Sequence, residues 1–288
     1  MQSVFDKPAI ARFRKRALAQ SNEGADFLLA HAAKEMADRL SFIDRNFEGV
    51  AITSGNLALV DPNFLQGTRH QNVSFVNRQA SRTDWLQASE ELLPETLKNL
   101  DLALSFFTLH ETDDTPGALV QIRRALKPDG LFMGVMAAGD TLHELRDCLL
   151  AAEVELTGGA NPRVYPFADV RAAGSLLQRA GFALPVVDSE TLTVRYKDMF
   201  ALMRDLRSMG AANALQARSK APASRALFLR ANQIYFEKYS AQDGRIPATF
   251  TLVWMSGWAP SENQQKPMKR GSANASLDNM LKSIEEQN

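Results

Sequence analysis

The run Leu100-Asp-Leu-Ala-Leu-Ser-Phe-Phe107 constrains the fold more than any other stretch of this chain. It is apolar at nearly every position. A strand of that kind is covered on both faces, as strands in parallel sheets flanked by helices are. Its surroundings agree. Pro116–Leu126 repeats Leu119, Ile122 and Leu126 at helical spacing, Lys127-Pro128-Asp129-Gly130 stops it, and Leu131–Met136 is the next strand. Upstream, Phe27, Leu28, Ala32, Met36 and Leu40 mark a helix over residues 24–41, and Val50–Thr53 and Val73–Val76 are short strands. Downstream, Asp140 or Thr141 caps a helix to about Leu156, with Glu144 placed for a capping box on Thr141; Gly158-Gly159 ends it, and Phe167–Ala180 is a further helix. Strand and helix alternate from about residue 47 to 182, the signature of a doubly wound α/β sheet.

Two late strands, Val186–Tyr196 and Thr249–Trp258, are separated by helical stretches at about Asp198–Met209 and Ala223–Tyr239. They pair most economically as an antiparallel edge, with a helical insertion above the sheet's carboxyl ends. The expected organisation is an N-terminal helical segment (1–44), a core (45–196), the insertion (197–247), a last core strand (248–260) and a polar tail (261–288) with a final helix at Leu277–Glu286.

Composition excludes several classes. Lys+Arg and Asp+Glu both number 33, so nothing pulls the chain globally toward nucleic acid or an anionic membrane. One cysteine, Cys148, allows no intramolecular disulfide, and no apolar run reaches the ~18 residues of a membrane span. No apolar signal-peptide core opens the chain, so the reading is a soluble intracellular protein. Charge is nevertheless uneven: Lys7, Arg12, Arg14, Lys15 and Arg16 cluster near the start, read as a solvated helix face or as a docking segment for an acidic partner or a phosphate-rich surface. Residues 84–114 lean acidic.

The strand Leu100–Phe107 with His110 behind it, and the turn Leu126-Lys-Pro-Asp-Gly130 into an apolar strand, resemble the fourth and fifth strands of class I S-adenosylmethionine-dependent methyltransferases, a Rossmann-like fold. Gly139-Asp-Thr-Leu-His-Glu-Leu-Arg146 is similar to a segment of one family within them, the methyltransferase-like assembly factors of respiratory complex I. Phe5-Asp6-Lys7, Ala180-Gly181-Phe182, Tyr196 to Met209, Asp243-Gly-Arg-Ile-Pro-Ala-Thr249 and Lys269-Arg-Gly-Ser-Ala273 agree with it in order. The resemblance runs from about residue 4 to 276. It implies a protein partner, plausibly a complex I subunit, and no nucleic acid. With the first family motif at Phe5, the expectation is a bacterial cytoplasmic protein that reaches the inner membrane through its partner.

The resemblance also implies a cofactor site, and the chain departs from it. The family's Asp-x-Gly-x-Gly-x-Gly turn aligns with Ile52-Thr-Ser-Gly-Asn-Leu-Ala58, leaving Ser54, Gly55 and Asn56 as candidate contacts and no acid. The second strand ends in Asn77 rather than an acid. The adenine-site acid aligns with Ser89, or with Glu90 after a one-residue slide; Phe106 completes the set. A hydrogen bond to a charged group contributes about 1.5–3 kcal/mol. Losing two or three costs roughly two to six decades of affinity. The sequence therefore predicts weak or lost S-adenosylmethionine binding on a retained scaffold.

His110 is the candidate catalytic residue, as base or substrate contact, against a role hydrogen-bonding its own loop. The histidines show no metal-ligand spacing, and no metal is expected. Cys148 reads as a packed small hydrophobe, and Trp254 and Trp258, four apart on one strand, as core on one face. Met199, Met203 and Met209 line core or a partner groove. Arg195, Tyr196, Arg204 and Arg207 read as a solvated face. Three activities stay open: a partner-binding factor with a degenerate cofactor site, an active methyltransferase, and another enzyme on the same scaffold.

Overall fold

The computed structural model describes residues 3–20, 26–55, 65, 69–77 and 86–265. Two helices, α1 (Lys7–Gln20) and α2 (Phe27–Ser41), precede strands β1 (Asn46–Ser54), β2 (Arg69–Asn77), β3 (Leu86–Gln87) and β4 (Leu100–Phe106). Then come α3 (Thr115–Ala125), β5 (Leu126–Ala138), α4 (His143–Thr157), α5 (Val170–Arg179) and β6 (Ala183–Tyr196), followed by α6 (Met199–Ser208), α7 (Arg225–Tyr239) and β7 (Ile246–Trp258). The tail helix expected at Leu277–Glu286 lies outside the described residues.

The strands form one sheet in the order β3-β2-β1-β4-β5-β7-β6. The first five pair in parallel, and β7 runs antiparallel between β5 and β6. This is the Rossmann-like sheet expected, with the late strands at its edge. Both faces are covered, which is why β4 is apolar throughout. On one face Leu119, Ile122 and Leu177 of α3 and α5 pack on Ala103, Phe132 and Met255. On the other, Leu29, Met36 and Leu40 of α2 pack on Ile52, Leu104, Val135 and Trp254. Trp254 is buried, as its strand position requires, and Trp258 is half-buried; Arg39 lies over the first ring and Arg45 over the second, at 4.5 and 4.7 Å.

Helix starts follow the side chains that cap them. Asp114, Asp169 and Asp198 each accept a backbone N–H three residues on, at 2.7–2.9 Å. The α4 start differs from expectation. Thr141 and Glu144 do not form a capping box. Thr141 Oγ1 accepts from Thr251 N (3.0 Å), Glu144 accepts from the Thr249 hydroxyl and amide (2.5 and 3.2 Å), and Leu142 turns left-handed (φ 55°) before the helix. Both polar side chains are drawn to β7, whose amides would otherwise be buried without partners.

The edge ribbon is longer than its sequence signal. β5 and β7 stay paired only up to Ala138↔Thr251, whereas β6 and β7 continue to Tyr196↔Ile246. The ribbon thus overhangs the carboxyl end of β5, and α6 and α7 are carried at its tip. Met199, Leu202, Leu227, Ile234 and Tyr235 pack there on Leu145, Leu149 and Phe250. Of the three insertion methionines, Met199 is core, while Met203 and Met209 are partly buried against it.

The start of β5 bulges against β4, since Leu100 opposes Leu126 and Leu102 opposes Leu131. A Cβ at Gly130 would lie 2.9 Å from the Leu100 carbonyl oxygen. Gly130→Ala is expected to cost about 1–3 kcal/mol by overpacking, read as a lowered midpoint in urea unfolding with an unchanged slope.

Candidate functional site

In open α/β sheets ligands bind where the strand order reverses, outside the carboxyl ends. Here that point lies between β1 and β4, tied by Thr53 Oγ1 donating to the Leu104 carbonyl (3.2 Å). A cavity of about 190 Å³ opens there. Its floor is Ser54, Gly55, Phe107, His110 and Ala137, its sides are Leu28, Leu29 and Thr141, and its roof comes from Tyr165, Leu206, Met209 and Gly210. The volume is below the ~300–1,000 Å³ usual for small-molecule sites.

The side chain that dominates this cavity is Arg14, from α1. Its guanidinium lies against the β1 turn, so close that a Cβ on Gly55 would be 2.7 Å from Nη2. It is ion-paired with Glu111, in the 3-10 turn Leu109–Glu111 after β4. The two side chains are only 9% and 6% exposed. The charged run of α1 is therefore not all solvated, as the sequence suggested: Arg14 points inward. The sequence carries a signal for this, because Ile10 and Ala17, four before and three after Arg14, lie on the same buried side of the helix.

Helix α1 is held in place by the acidic stretch. Asp113 accepts from Val4 N and Phe5 N (2.8 and 3.0 Å), and Lys7 Nζ reaches Glu91 (3.0 Å) and the Glu111 carbonyl (2.8 Å). Burial pulls the Asp113 carboxyl upward, but the Phe5, Ser3 and Val4 hydrogen bonds outweigh it and hold it below the usual range. Glu91 is lowered in the same way, by the Asp114 amide and Lys7 against burial. Asp6, bonded by Arg218 (2.7 Å), is held at about 2, first by that hydrogen bond.

The candidate residues separate. Ser54, Gly55 and His110 meet at the cavity, with His110 against the Phe167 ring (5.9 Å between centroids). Phe106 is fully buried in the core beneath. Ser89 bridges to Leu92, and Glu90 is buried; neither lines the cavity. Asn77 ends β2, with its side chain outside the described residues, and Asn56 lies outside them altogether. Ile52, at the position of the family's acid, is core. Cys148 is buried, and burial pushes its thiol up to about 12. Among the described residues no three His, Cys, Asp or Glu side chains gather to hold a metal, and no helix is long and apolar enough to cross a membrane.

A methyltransferase-domain family matches residues 60–134. The chain is 39% identical over 259 residues to the arginine-hydroxylase NDUFAF5, mitochondrial, of Danio rerio, covering 90% of this chain and 73% of that protein. It is 37% identical over 292 residues to the Homo sapiens protein of the same name, covering 97% and 84%. A Bacillus halodurans protein assigned as a methyltransferase, solved by crystallography and 13% identical, superposes with a TM-score of 0.51 over 79% of this chain and 99% of that one. It shares the fold.

The chain belongs to the methyltransferase-like complex I assembly factor family. Membership makes S-adenosylmethionine the group to test against the site. That cofactor brings an ammonium, a carboxylate and a sulfonium. The described residues meet it with a guanidinium at the Gly55 turn, and Glu111, the carboxylate beside that turn, is already committed to Arg14. The guanidinium matches the cofactor's carboxylate, Asp26 lines the cavity as a second acid besides Glu111, and the aligned position 52 holds an isoleucine in place of the family's acid.

In this family member the loop over the cavity is fixed by Glu153. It takes Arg163 through both oxygens (2.7 and 3.0 Å) and Asn161 (2.8 Å), and Arg163 holds its carboxyl at about 2. A folded pKa below the unfolded one contributes stability above about 4.5, and this is lost as pH falls toward about 2. Glu153→Gln is expected to remove roughly 2–3 kcal/mol at neutral pH and to flatten the acid limb of a urea-stability profile. Breaking the buried Arg14–Glu111 pair by Arg14→Met is expected to cost about 3–5 kcal/mol. Arg14→Met with Glu111→Gln should cost less than the two singles summed, the coupling being read in a double-mutant cycle.

Proposed function

We propose that this chain acts as an assembly factor that binds a partner protein, with S-adenosylmethionine binding weak or lost. The observation that carries the reading is Arg14 seated on the Gly55 turn and neutralised by Glu111. A ligand entering at that turn has to displace a buried ion pair and leave two charges to be satisfied again. Candidate contacts Ser54 and Gly55 are short polar or side-chain-free groups that supply no charge to offset this. The missing acids at positions 52 and 77 point the same way.

The partner is a protein, by the likeness to relatives named arginine-hydroxylase, and we take it to be a subunit of complex I. The protein works in the cytoplasm and reaches the inner membrane through that partner. His110, on the cavity floor beside Glu111, is the residue placed to touch a partner side chain that enters.

A second reading, an active S-adenosylmethionine-dependent methyltransferase, has two supports: the domain match over residues 60–134 and the cavity at the β1/β4 reversal. Calorimetric titration with S-adenosylmethionine and S-adenosylhomocysteine separates the two. The expected result is no saturable heat up to about millimolar ligand, the range reached when two charged contacts are lost. A micromolar dissociation constant for either ligand overturns the claim of a lost cofactor, and methyl transfer from S-adenosylmethionine to a candidate protein then decides for the second reading.

A further inference from the structure

Several arginines of the chain are answered by carboxylates: Arg39 by Asp188, Arg45 by Asp129, Arg163 by Glu153, Arg218 by Asp6, Arg230 by Glu155. Helix α1 concentrates cations. It carries Lys7, Arg12, Arg14, Lys15 and Arg16 with no acid. Lys7 and Arg14 are paired inward. Arg12, Lys15 and Arg16 are at i, i+3 and i+4, so they share one side, and all three are exposed. Helix α6 packs against α1, with the Gly210 turn at its end lying on the Arg14 backbone (a Cβ there would be 3.2 Å from Arg14 Cα). It adds Arg204 and Arg207, one turn apart and both exposed. None of these five cations has an ion-pair partner among the described residues.

We propose that the exposed sides of α1 and α6, carrying Arg12, Lys15, Arg16, Arg204 and Arg207, form one basic surface that docks an acidic segment of a protein partner. The inference deepens the partner-binding reading above and rests on it. Charge complementarity selects the occupant. In a chain of zero net charge, five uncompensated cations on two adjoining helices make a local field that steers an anionic surface. Four of the five are arginines, whose planar forks match carboxylates two bonds at a time. A lipid surface fits less well. Membrane-binding basic helices also bury an apolar face in the bilayer, and the apolar side of α1 (Ala9, Ile10, Ala17) is already buried in this protein.

The test uses the full chain and a fluorescein-labelled peptide of repeating Glu-Asp-Gly-Ser, followed by anisotropy at low and at raised salt. Vesicles of phosphatidylcholine with phosphatidylglycerol are run in parallel. Three charge-reversed proteins are compared: Arg12→Glu/Arg16→Glu on α1, Arg204→Glu/Arg207→Glu on α6, and Arg124→Glu/Arg179→Glu on α3 and α5 as a surface control. All six positions are exposed, and thermal melts verify that each variant folds. The expected result is peptide binding that falls with salt, weakens at least about tenfold in each of the first two variants and holds in the third. Equal losses in all three, or no binding at low salt, overturn the proposal. Co-sedimentation with vesicles that exceeds peptide binding and vanishes in the α1 variant assigns the surface to lipid and also overturns it. The same preparations titrated with S-adenosylmethionine keep the two readings apart. Micromolar heat with intact peptide discrimination removes only the claim of a lost cofactor. Loss of discrimination without heat removes only the docking surface.

Discussion

A guanidinium is stable out of water only when a carboxylate and a fixed scaffold answer it together. The Arg14–Glu111 pair sets that condition at the mouth of this sheet. Glu111 is fixed by the turn after β4, and Arg14 is delivered by a helix from the far N-terminus. Their meeting requires α1 to cross the carboxyl edge, and the rest of that edge is arranged to keep it there. Asp113 takes the two backbone amides ahead of α1, Lys7 spans Glu91 and the Glu111 carbonyl, and Asp6 ties the same end to Arg218 beyond α6. Three acids of the acidic stretch, Glu91, Glu111 and Asp113, are thus spent on holding a helix. The reversal between β1 and β4, where an open sheet ordinarily receives its ligand, is partly filled by the protein's own side chain.

The overhang of the β6–β7 ribbon is the second constraint, and it follows from pairing. β7 has a partner on each side only from Thr251 onward, so its first residues lean on β6 alone. A two-stranded ribbon is marginal by itself. Helices α4, α6 and α7 supply the missing contact through Leu145, Met199, Leu202, Ile234 and Tyr235. Because the ribbon projects over the carboxyl ends, stabilising it also builds the roof of the cavity, from Leu206 to Gly210. Glu144 and Thr141, spent on β7 rather than on the start of α4, belong to the same solution.

Most of the architecture was readable from the sequence because each signal was local. β4 advertises two covered faces by being apolar at almost every position, Asp114 and Asp169 stand where caps belong, and Gly158 ends α4 with the left-handed turn its lack of a side chain permits (φ 70°). β6 and β7 extend past their sequence signal at residues 183–185 and 246–248, where Pro185 and Pro247 interrupt the strand pattern. The capping box failed for a related reason: a Thr and a Glu three apart satisfy a local rule, while β7's amides offer the same groups a buried use from a distance of over a hundred residues. The site was the least readable part. The resemblance pointed to Ser54, Gly55 and His110, and these do face one cavity. Arg14 was hidden in a run of cations whose simplest explanation is solvation. Only its spacing from Ile10 and Ala17 sets it apart, and Glu111, nearly a hundred residues away, gives no sequence hint of being its partner.

A balanced total charge conceals this division of labour. Asp101 accepts the amides of Glu48 and Gly49 and binds Lys127; Asp129 binds Arg45 and Gln264; Asp113, Glu91 and Glu111 anchor α1. Carboxylates are drawn to backbone amides because an amide can donate to them from any rigid loop, whereas a cation finds only carbonyls there. The acids of this chain are therefore spent on internal joints, and cations whose would-be partners are so occupied remain on the surface. Five of them lie on α1 and α6, beside those joints. The arrangement that seats Arg14 on the Gly55 turn is for this reason the same one that leaves Arg12, Lys15 and Arg16 facing outward. Seating Arg14 at the Gly55 turn and exposing a basic surface are two consequences of one helix being fastened across the sheet.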